Sequence, residues 1–401
     1  MEEEDLGENS QSLYLVVTNN RETRICELEI TKTVSYSSPK EKKSISKHSV
    51  SVKKTINLAI TEAPRRLATF SVNIGKYVYF LPSEEPFGDE PRVDIKIFDL
   101  FEQNFVRYVP HMISPKGILC TMVVDGMIYA MNGRGLGFES YDPKNGLWKK
   151  LDNAPFSSWV DYSVVPFGQG PFAAISGYAI VDDQFILLSW KEHSSKILTH
   201  FFMFDTHSRK WFTVHKTCHD ETQYHDITNK AEFITGKIYS IYCWRILVHT
   251  LNVIRDDQAQ VVGAAIAPPV ILNDLVDLCP SWEALDLGKV QLAYMECGLF
   301  CVVDCLSDEA RYLLVLFHIE KNVGVQFGTI SFDGANNYSI KITYSGYHDF
   351  DFKICWATII CSCFSERHIK WNQGDDSELY DLQVVPYDSS EESRRTRRSK
   401  G

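Results

Sequence analysis

The sequence has no long hydrophobic run and no basic, apolar start. Its longest apolar run, ICWATIICSCF, is about half of the roughly 20 residues that a helix needs to cross a bilayer. The chain begins with MEEEDLGENS, which is acidic where a secretion signal has a basic stretch followed by an apolar one. These absences predict a protein that does not use a membrane and does not enter the secretory pathway.

Excess positive charge is also missing, because acidic residues outnumber Lys and Arg by 52 to 41 and the net charge is −11. A protein that neutralises phosphates needs a basic surface, so we expect no nucleic-acid partner. The eleven cysteines are an odd number scattered along the chain, which is typical of reduced thiols in the cytoplasm. The basic segment RRTRR, residues 394–398, leaves nuclear import as the alternative location.

Local signatures of catalysis are absent: the chain has no Gly-x-Ser-x-Gly, no His-Glu-x-x-His and no Gly-Lys-Ser/Thr phosphate loop. The densest group of possible metal ligands is His215, Cys218, His219 and His225. A zinc site normally has closely paired ligands followed by a second pair, and this stretch lacks that spacing. We interpret it as a solvated loop between two repeat units, and we predict no metal and no cofactor.

Amphipathic helices are nearly absent, and short apolar strands on both sides of a turn residue take their place. The turn residues of five such hairpins are Gly75, Gly126, Asp183, Gly236 and Gly298, at intervals of 51, 57, 53 and 62 residues. Each site has the pattern of a tight hairpin. A further unit is expected near residue 353. Recurrence at about fifty residues predicts stacked copies of one small sheet.

Three of these units continue with an aromatic residue, an Asp, a turn, and a second aromatic residue seven positions after the first. The aromatic pairs are Phe98 and Phe105, Tyr141 and Trp148, and Phe204 and Trp211. The Asp starts a turn that reverses the chain, and the rings before and after it are expected to pack between one sheet and the next. Four-stranded units of this kind predict a β-propeller.

The stretch VVDGMIYAMNGRGLGFESYDPKNGLWKKL, Val123 to Leu151, resembles a kelch repeat and departs from it at Asn132-Gly133, where the family has two glycines. The resemblance covers about Leu67 to Val385 and is strongest in the first three units. It is closest to the degenerate kelch or galactose-oxidase-like propellers that are common in plants and often fused to an F-box, although no F-box-like segment precedes the repeats here. It implies an all-β, kelch-type propeller.

The chain divides into five predicted segments. They are a disordered acidic N-terminus (1–11), an N-terminal β-hairpin that joins the propeller (12–32), a Lys/Ser-rich loop (33–55), the kelch-like propeller (56–387) and a disordered basic tail (388–401). Six blades are expected if the hairpin completes the unit near residue 353, and seven if it is a blade of its own. In the first case the N- and C-terminal strands pair and close the ring.

Loops on a stiff scaffold are where binding residues usually lie, and the loops after the second strand of each unit are the best placed. Aromatic, cationic and imidazole side chains in these loops give four candidate binding residues: Phe87, Arg134, Lys191 and His193. The expected function is a monomeric, non-catalytic interaction scaffold that binds a protein partner. The alternative is a propeller enzyme with a metal-dependent site in the central channel.

Overall fold

Nearly all of the described chain is β-strand, as the sequence predicts. The structure is a computed structural model, and it describes residues 10–18, 23–36, 44–58, 69–82, 95–114, 116, 119–132, 135–158, 173–193, 197–218, 220, 224–242, 245–272, 290–295, 299–306, 311–321, 338–349 and 356–361. Among these residues the one helical element is the short 3-10 segment Pro155–Ser158. The predicted disordered ends lie outside the described residues, except for residues 10 and 11, which are in a strand. Residues 362–387 of the predicted propeller also lie outside them.

The first sheet joins strands from both ends of the described chain. Its order is β25 (Trp356–Cys361), β1 (Ser10–Thr18), β2 (Thr23–Tyr36) and β3 (Ser44–Leu58). The strands β1 and β2 form the predicted hairpin, and β1 also pairs with β25, from Leu13 opposite Cys361 to Thr18 opposite Trp356. The expected pairing of N- and C-terminal strands is therefore present, and we call this the closure sheet.

The prediction of a loop at 33–55 is wrong for residues 33–36 and 44–55, which belong to β2 and β3; residues 37–43 lie outside the described part. In SISKHSVSVKKTINL, β-branched residues alternate with serine and lysine, which is a strand pattern. Residues 51–55 of β3 are exposed. Lysines are typical of such an outer edge strand, so here a lysine-rich composition does not indicate a loop.

Three other sheets each consist of four consecutive antiparallel strands. The second sheet contains β4 (Thr69–Ile74), β5 (Tyr77–Pro82), β6 (Ile95–Asp99) and β7 (Asn104–Val109); the third contains β8 (Leu119–Val124), β9 (Met127–Asn132), β10 (Glu139–Asp142) and β11 (Leu147–Lys150); and the last contains β21 (Val290–Tyr294), β22 (Leu299–Leu306), β23 (Arg311–Lys321) and β24 (Tyr338–Asp349). These are the sheets that the hairpin repeat predicts.

The strands between the third and last sheets form a closed barrel. They are β12 (Ala173–Val181), β13 (Phe185–His193), β14 (Ile197–Asp205), β15 (Lys210–Lys216), β16 (Asn229–Ile234), β17 (Lys237–Tyr242), β18 (Arg245–Arg255), β19 (Val261–Ile266) and β20 (Val270–Leu272). The first eight pair in the circular order β16, β12, β13, β14, β15, β19, β18, β17, and β20 pairs with β18 outside this circle. The pairs β12–β16 and β15–β19 are parallel and join two successive four-stranded units.

The sheets have a propeller-like, circular arrangement. Their innermost strands lie side by side in the order β25, β4, β8, β12, β16 and β21, and β21 again lies beside β25. Apolar cores fill the spaces between the closure and second sheets, the second and third, the third and the barrel, the barrel and the last sheet, and the last and closure sheets. Another core fills the barrel. Each sheet therefore buries both faces only because it has two neighbours.

The predictions of six or seven separate blades are both wrong, because the structure has four four-stranded sheets and one barrel. The fusion of two units has a local cause at Gly177. A Cβ atom there would overlap backbone atoms of Ile227 and Asn229, so only glycine lets β16 pair with β12. On β19, the small residues Ala264 and Ala265 lie at the parallel pairing with β15.

The repeated turns form as the sequence predicts. Gly75, Gly126, Asp183 and Gly236 have positive φ, which tight hairpin turns require, and Gly298 lies outside the described residues. After the third strand, the backbone carbonyls of Asp99, Asp142 and Asp205 each accept a hydrogen bond at 2.8 Å from the N–H group four residues later. We call the end of the molecule that carries these turns the turn face.

The three aromatic pairs also pack as predicted, with the two rings on opposite positions of adjacent strands. The ring centroids are 5.4 Å apart for Phe98 and Phe105, 5.2 Å for Tyr141 and Trp148, and 4.9 Å for Phe204 and Trp211. Each Trp indole donates from Nε1 to a backbone carbonyl of the connection from the preceding sheet, at Pro110 (3.0 Å) and Asp152 (3.1 Å). The pairs therefore link each sheet to its neighbour.

Candidate functional site

The interior of the barrel is apolar over most of its length and polar at one end. Along β13, Phe185 and Leu187 belong to the barrel core, and Ser189 and Lys191 are the next residues on the same face of the strand. Along β17 and β18, Ile238 and Leu251 belong to the core, and Ser240 and His249 are the next residues on that face. We call this end, where the second strand of each unit finishes, the polar end.

A short segment of chain, Tyr224–Thr228, crosses the polar end, and we call it the plug. The hydroxyl of Tyr224 accepts a hydrogen bond from the Cys218 N–H group (2.8 Å) and donates to the Ile266 carbonyl (3.3 Å). The Ile227 N–H group donates to Ser189 Oγ (3.1 Å), and the Thr228 hydroxyl donates to the Ile241 carbonyl. The plug is thus held by hydrogen bonds to one barrel side chain and to backbone groups, and the prediction of a solvated loop is wrong for these residues.

His249 is fully buried beneath the plug, with its ring 6.0 Å from that of Phe201 across the barrel. Its Nε2 lies 3.2 Å from the His225 carbonyl, which can only accept, so Nε2 carries the hydrogen. Within the described residues, His249 Nδ1 and Ser240 Oγ have no hydrogen-bond partner. Burial lowers the pKa of the His249 imidazole to about 4, although the hydrogen bond to the His225 carbonyl opposes this shift.

An ion pair lies at the rim of the polar end. Lys191 Nζ is 3.6 Å from Asp226 Oδ2, and the two side chains are 20% and 10% exposed. The pair joins the end of β13 to the plug. Because the lysine is partly exposed, it can contact another molecule while the plug keeps the carboxylate in place.

The connection into the third sheet is anchored at the same end of its unit. Lys116 and Glu139 are both completely buried, with Nζ and Oε1 3.0 Å apart. The Glu139 carboxylate also accepts hydrogen bonds from the N–H groups of Ile113 and Ser114, each at 2.8 Å, and Lys116 donates to the Ser114 carbonyl at 2.9 Å. The inter-unit connections and the polar end of the barrel lie at the same end of the molecule. We call this end the connection face.

The structure describes two of the four predicted binding residues. Lys191 lies at the polar end beside Asp226. His193 is two positions further along β13, and its side chain lies outside the described part. Phe87 and Arg134 also lie outside the described residues. Sequence reasoning missed Asp226, Ser240 and His249. Side chains alternate in direction along a strand, and this signal could have placed Ser240 on the same side as Ile238 and His249 on the same side as Leu251.

The metal-ligand group of the sequence is not assembled in the described part of the chain. His215 is exposed on β15, Cys218 packs against the barrel core, His225 is in the plug, and His219 lies outside the described residues. The residues that the structure describes contain no cluster of three or more His, Cys, Asp or Glu side chains suited to a metal ion. No helix in this described part is long and apolar enough to cross a membrane.

Comparison with known proteins gives a family, and it also gives structural neighbours, among them the following two. The model of the family described as "Protein of unknown function (DUF1668)" matches residues 10–217, which is slightly more than half of the chain. No curated protein matches the sequence. Among solved structures, the one described as "Structure of YjhT" shares 11% sequence identity with this chain. The match covers 81% of this chain and 96% of that chain, with a TM-score of 0.34.

The second structural neighbour carries the printed description "putative 6-phosphogluconolactonase" and comes from Bacteroides fragilis NCTC 9343. It shares 12% identity over 87% of this chain and 98% of its own, with a TM-score of 0.41. Because both TM-scores are below 0.5, the propeller-like fold described above depends on the strand pairing of this chain alone.

Proposed function

The chain belongs to the DUF1668 family, and from that premise we propose that it is a non-catalytic, kelch-type interaction scaffold that binds a protein partner through its connection face. We also propose that the protein is a monomer and that it has no cofactor, no nucleic-acid partner and no membrane partner. The proposal also includes a cytoplasmic location, with nuclear import as the alternative.

The observation that carries this proposal is the Lys191–Asp226 pair at the rim of the plugged barrel. Lys191 is partly exposed, and Asp226 belongs to the plug, whose backbone is fixed by hydrogen bonds of Ser189 and Thr228. A charged group on a fixed backbone loses little conformational freedom on binding, which favours recognition. Charges at the rim of an interface mainly set orientation and association rate.

The anchored connection at Lys116 and Glu139 supports the same assignment, because it belongs to the same face of a neighbouring unit. A buried ion pair adds little net stability, but it defines one geometry when every lone pair is used. Glu139 makes three kinds of contact here, to a lysine, to two N–H groups and to the Ser114 hydroxyl. Two adjacent connections are thus pre-organised on one face.

The test is partner capture with a charge reversal and a matched control. The full chain, its Lys191→Glu variant and its Lys149→Glu variant are used as baits in extract from the native tissue, followed by mass spectrometry and in vitro binding of each candidate. Lys149 is an exposed lysine on β11, an outer strand. We expect at least one purified partner to bind the wild type and the control with equal affinity, and to bind Lys191→Glu about tenfold or more weakly.

Equal binding of the partner to all three proteins would contradict recognition at the connection face. Turnover of a small molecule by the wild type, lost after substitution of residues in the central channel, would instead favour an enzyme.

A further inference from the structure

Two neighbouring sheets carry hairpins that extend beyond the rest of the turn face. The first residue of β1, Ser10, is opposite Thr31, and β2 continues to Tyr36. In the last sheet, the first residue of β22, Leu299, is opposite His318, and β23 continues to Lys321. The closure and last sheets pack against each other, so these two extended hairpins are neighbours.

Four basic residues meet where the extended hairpins leave the core. Lys32 and His48 are opposite each other on β2 and β3, and His318 and Lys341 are opposite each other on β23 and β24. The rings of His48 and His318 connect the two sheets, with centroids 6.0 Å apart. We call these four residues the basic seam.

The basic seam continues the face that forms the core between the two sheets. Ile30 and Val50, two residues from Lys32 and His48, contact this core, and so does Leu316, two residues before His318. The core therefore ends where the basic residues begin. Lys32 and Lys341 are exposed, whereas His48 and His318 are half-buried, so the seam is open to solvent.

The surroundings of His48 are positively charged. Burial lowers the pKa of His48 most, and the nearby His318 and Lys32 lower it further. The nearest acidic residue to Lys32 on β2 is Glu29, three positions earlier. The nearest acidic residue to His318 on β23 is Glu320, two positions later. His48 Nδ1 is buried and has no hydrogen-bond partner among the described residues.

A group of like charges is unfavourable in the free protein and becomes favourable when an anion occupies it. The protein as a whole has a net charge of −11, so this local concentration of basic residues is not a general property of its surface. Ammonium and imidazolium groups both donate hydrogen bonds and are suited to phosphate or carboxylate oxygens. We infer that the basic seam binds an oxyanion group of a ligand, at the opposite end of the molecule from the connection face.

Isothermal titration calorimetry with sodium sulfate tests this inference. Sulfate is a suitable probe because its charge does not change near neutral pH. At constant ionic strength, we expect saturable binding that is about fivefold or more tighter at about pH 6 than at about pH 8, since an anion in the seam favours the protonated form of the His48 imidazole. Separate titrations with inorganic phosphate and with succinate at about pH 8 distinguish a phosphate from a carboxylate source.

The double variant Lys32→Ala/His48→Gln should bind sulfate about tenfold or more weakly, and the control Lys149→Ala should bind as the wild type does. Since His48 is half-buried, the single variant Lys32→Ala serves as a second probe that leaves the core intact, and we expect it to weaken binding about threefold or more. The inference is overturned if none of the three anions binds saturably, or if all variants bind with wild-type affinity. Because the probes are small anions and the site is on the other face, either result leaves the proposed protein partner untouched.

Discussion

His249 is a buried imidazole whose ionisation is coupled to folding. Its pKa is about 4 in the folded protein, against an ordinary value of 6.5. Between these values the unfolded chain binds a proton at this residue and the folded chain does not. The free energy of unfolding should therefore fall as the pH decreases from about 6.5 to about 4, by up to about 3 kcal/mol from this residue alone.

Replacing His249 by Gln keeps a side-chain donor for the His225 carbonyl and removes the titration. We expect urea unfolding of His249→Gln to lose about 2 kcal/mol or more of the decrease that the wild type shows between about pH 6.5 and pH 4. The exposed His215 provides the control, because His215→Gln should keep the wild-type decrease. An unchanged pH dependence in His249→Gln would mean that the imidazole is not buried as the structure shows.

The residues that sequence reasoning placed correctly are those whose partners are close in the chain. Tyr141 and Trp148 are seven apart across one turn, so their contact follows from the turn itself. His249, by contrast, meets the carbonyl of His225 from another segment, and Lys191 meets Asp226 from 35 positions away. Such contacts depend on how units pair, which no local pattern of side chains specifies.

At the scale of elements, the parallel pairing of β12 and β16 is what turns two units into a barrel. The backbone of β16 and the plug approach Gly177 so closely that any side chain there collides with main-chain atoms, which cannot rotate away. Hairpins within one unit are marked by turn residues, but a pairing between two units has no such marker. The sequence therefore predicted the strands of both units and not their fusion.

A matched pair of glycine substitutions tests the close pairing of β12 and β16. Gly177→Ala should lower the free energy of unfolding by about 3 kcal/mol, because the strands must separate to admit the methyl group. Gly263→Ala on β19 should change it by less than about 0.5 kcal/mol, since a Cβ there meets nothing within 4 Å and its φ is not positive. Thermal or urea unfolding measures both; equal effects would argue against close pairing at Gly177.

For the whole molecule, closure of the circle depends on β1, which lies between β2 and β25. The sequence indicates the hairpin that contains β1, and its pairing with β25 is expected because such pairing removes free edges from the ring. The number of separate blades was not accessible, since it depends on contacts between units.

Leu15→Ala tests closure, because Leu15 is fully buried in the core shared by the closure and last sheets. We expect a loss of about 3 kcal/mol in the free energy of unfolding. Hydrogen exchange should also become faster in the last sheet, more than 270 positions away in sequence. The control Val52→Ala removes a side chain that is 49% exposed, and it should cost less than about 0.5 kcal/mol. Faster exchange confined to the closure sheet would contradict a core shared by the two sheets.

The outer strand β3 has a consequence for how these molecules behave when concentrated. It is 15 residues long and, in the described part of the chain, pairs with a strand on one side only. A long unpaired border of this kind can template fibrils by adding strands from other copies. Exposed Lys53 and Lys54 would meet their own counterparts in such a stack, and that repulsion disfavours growth through this border.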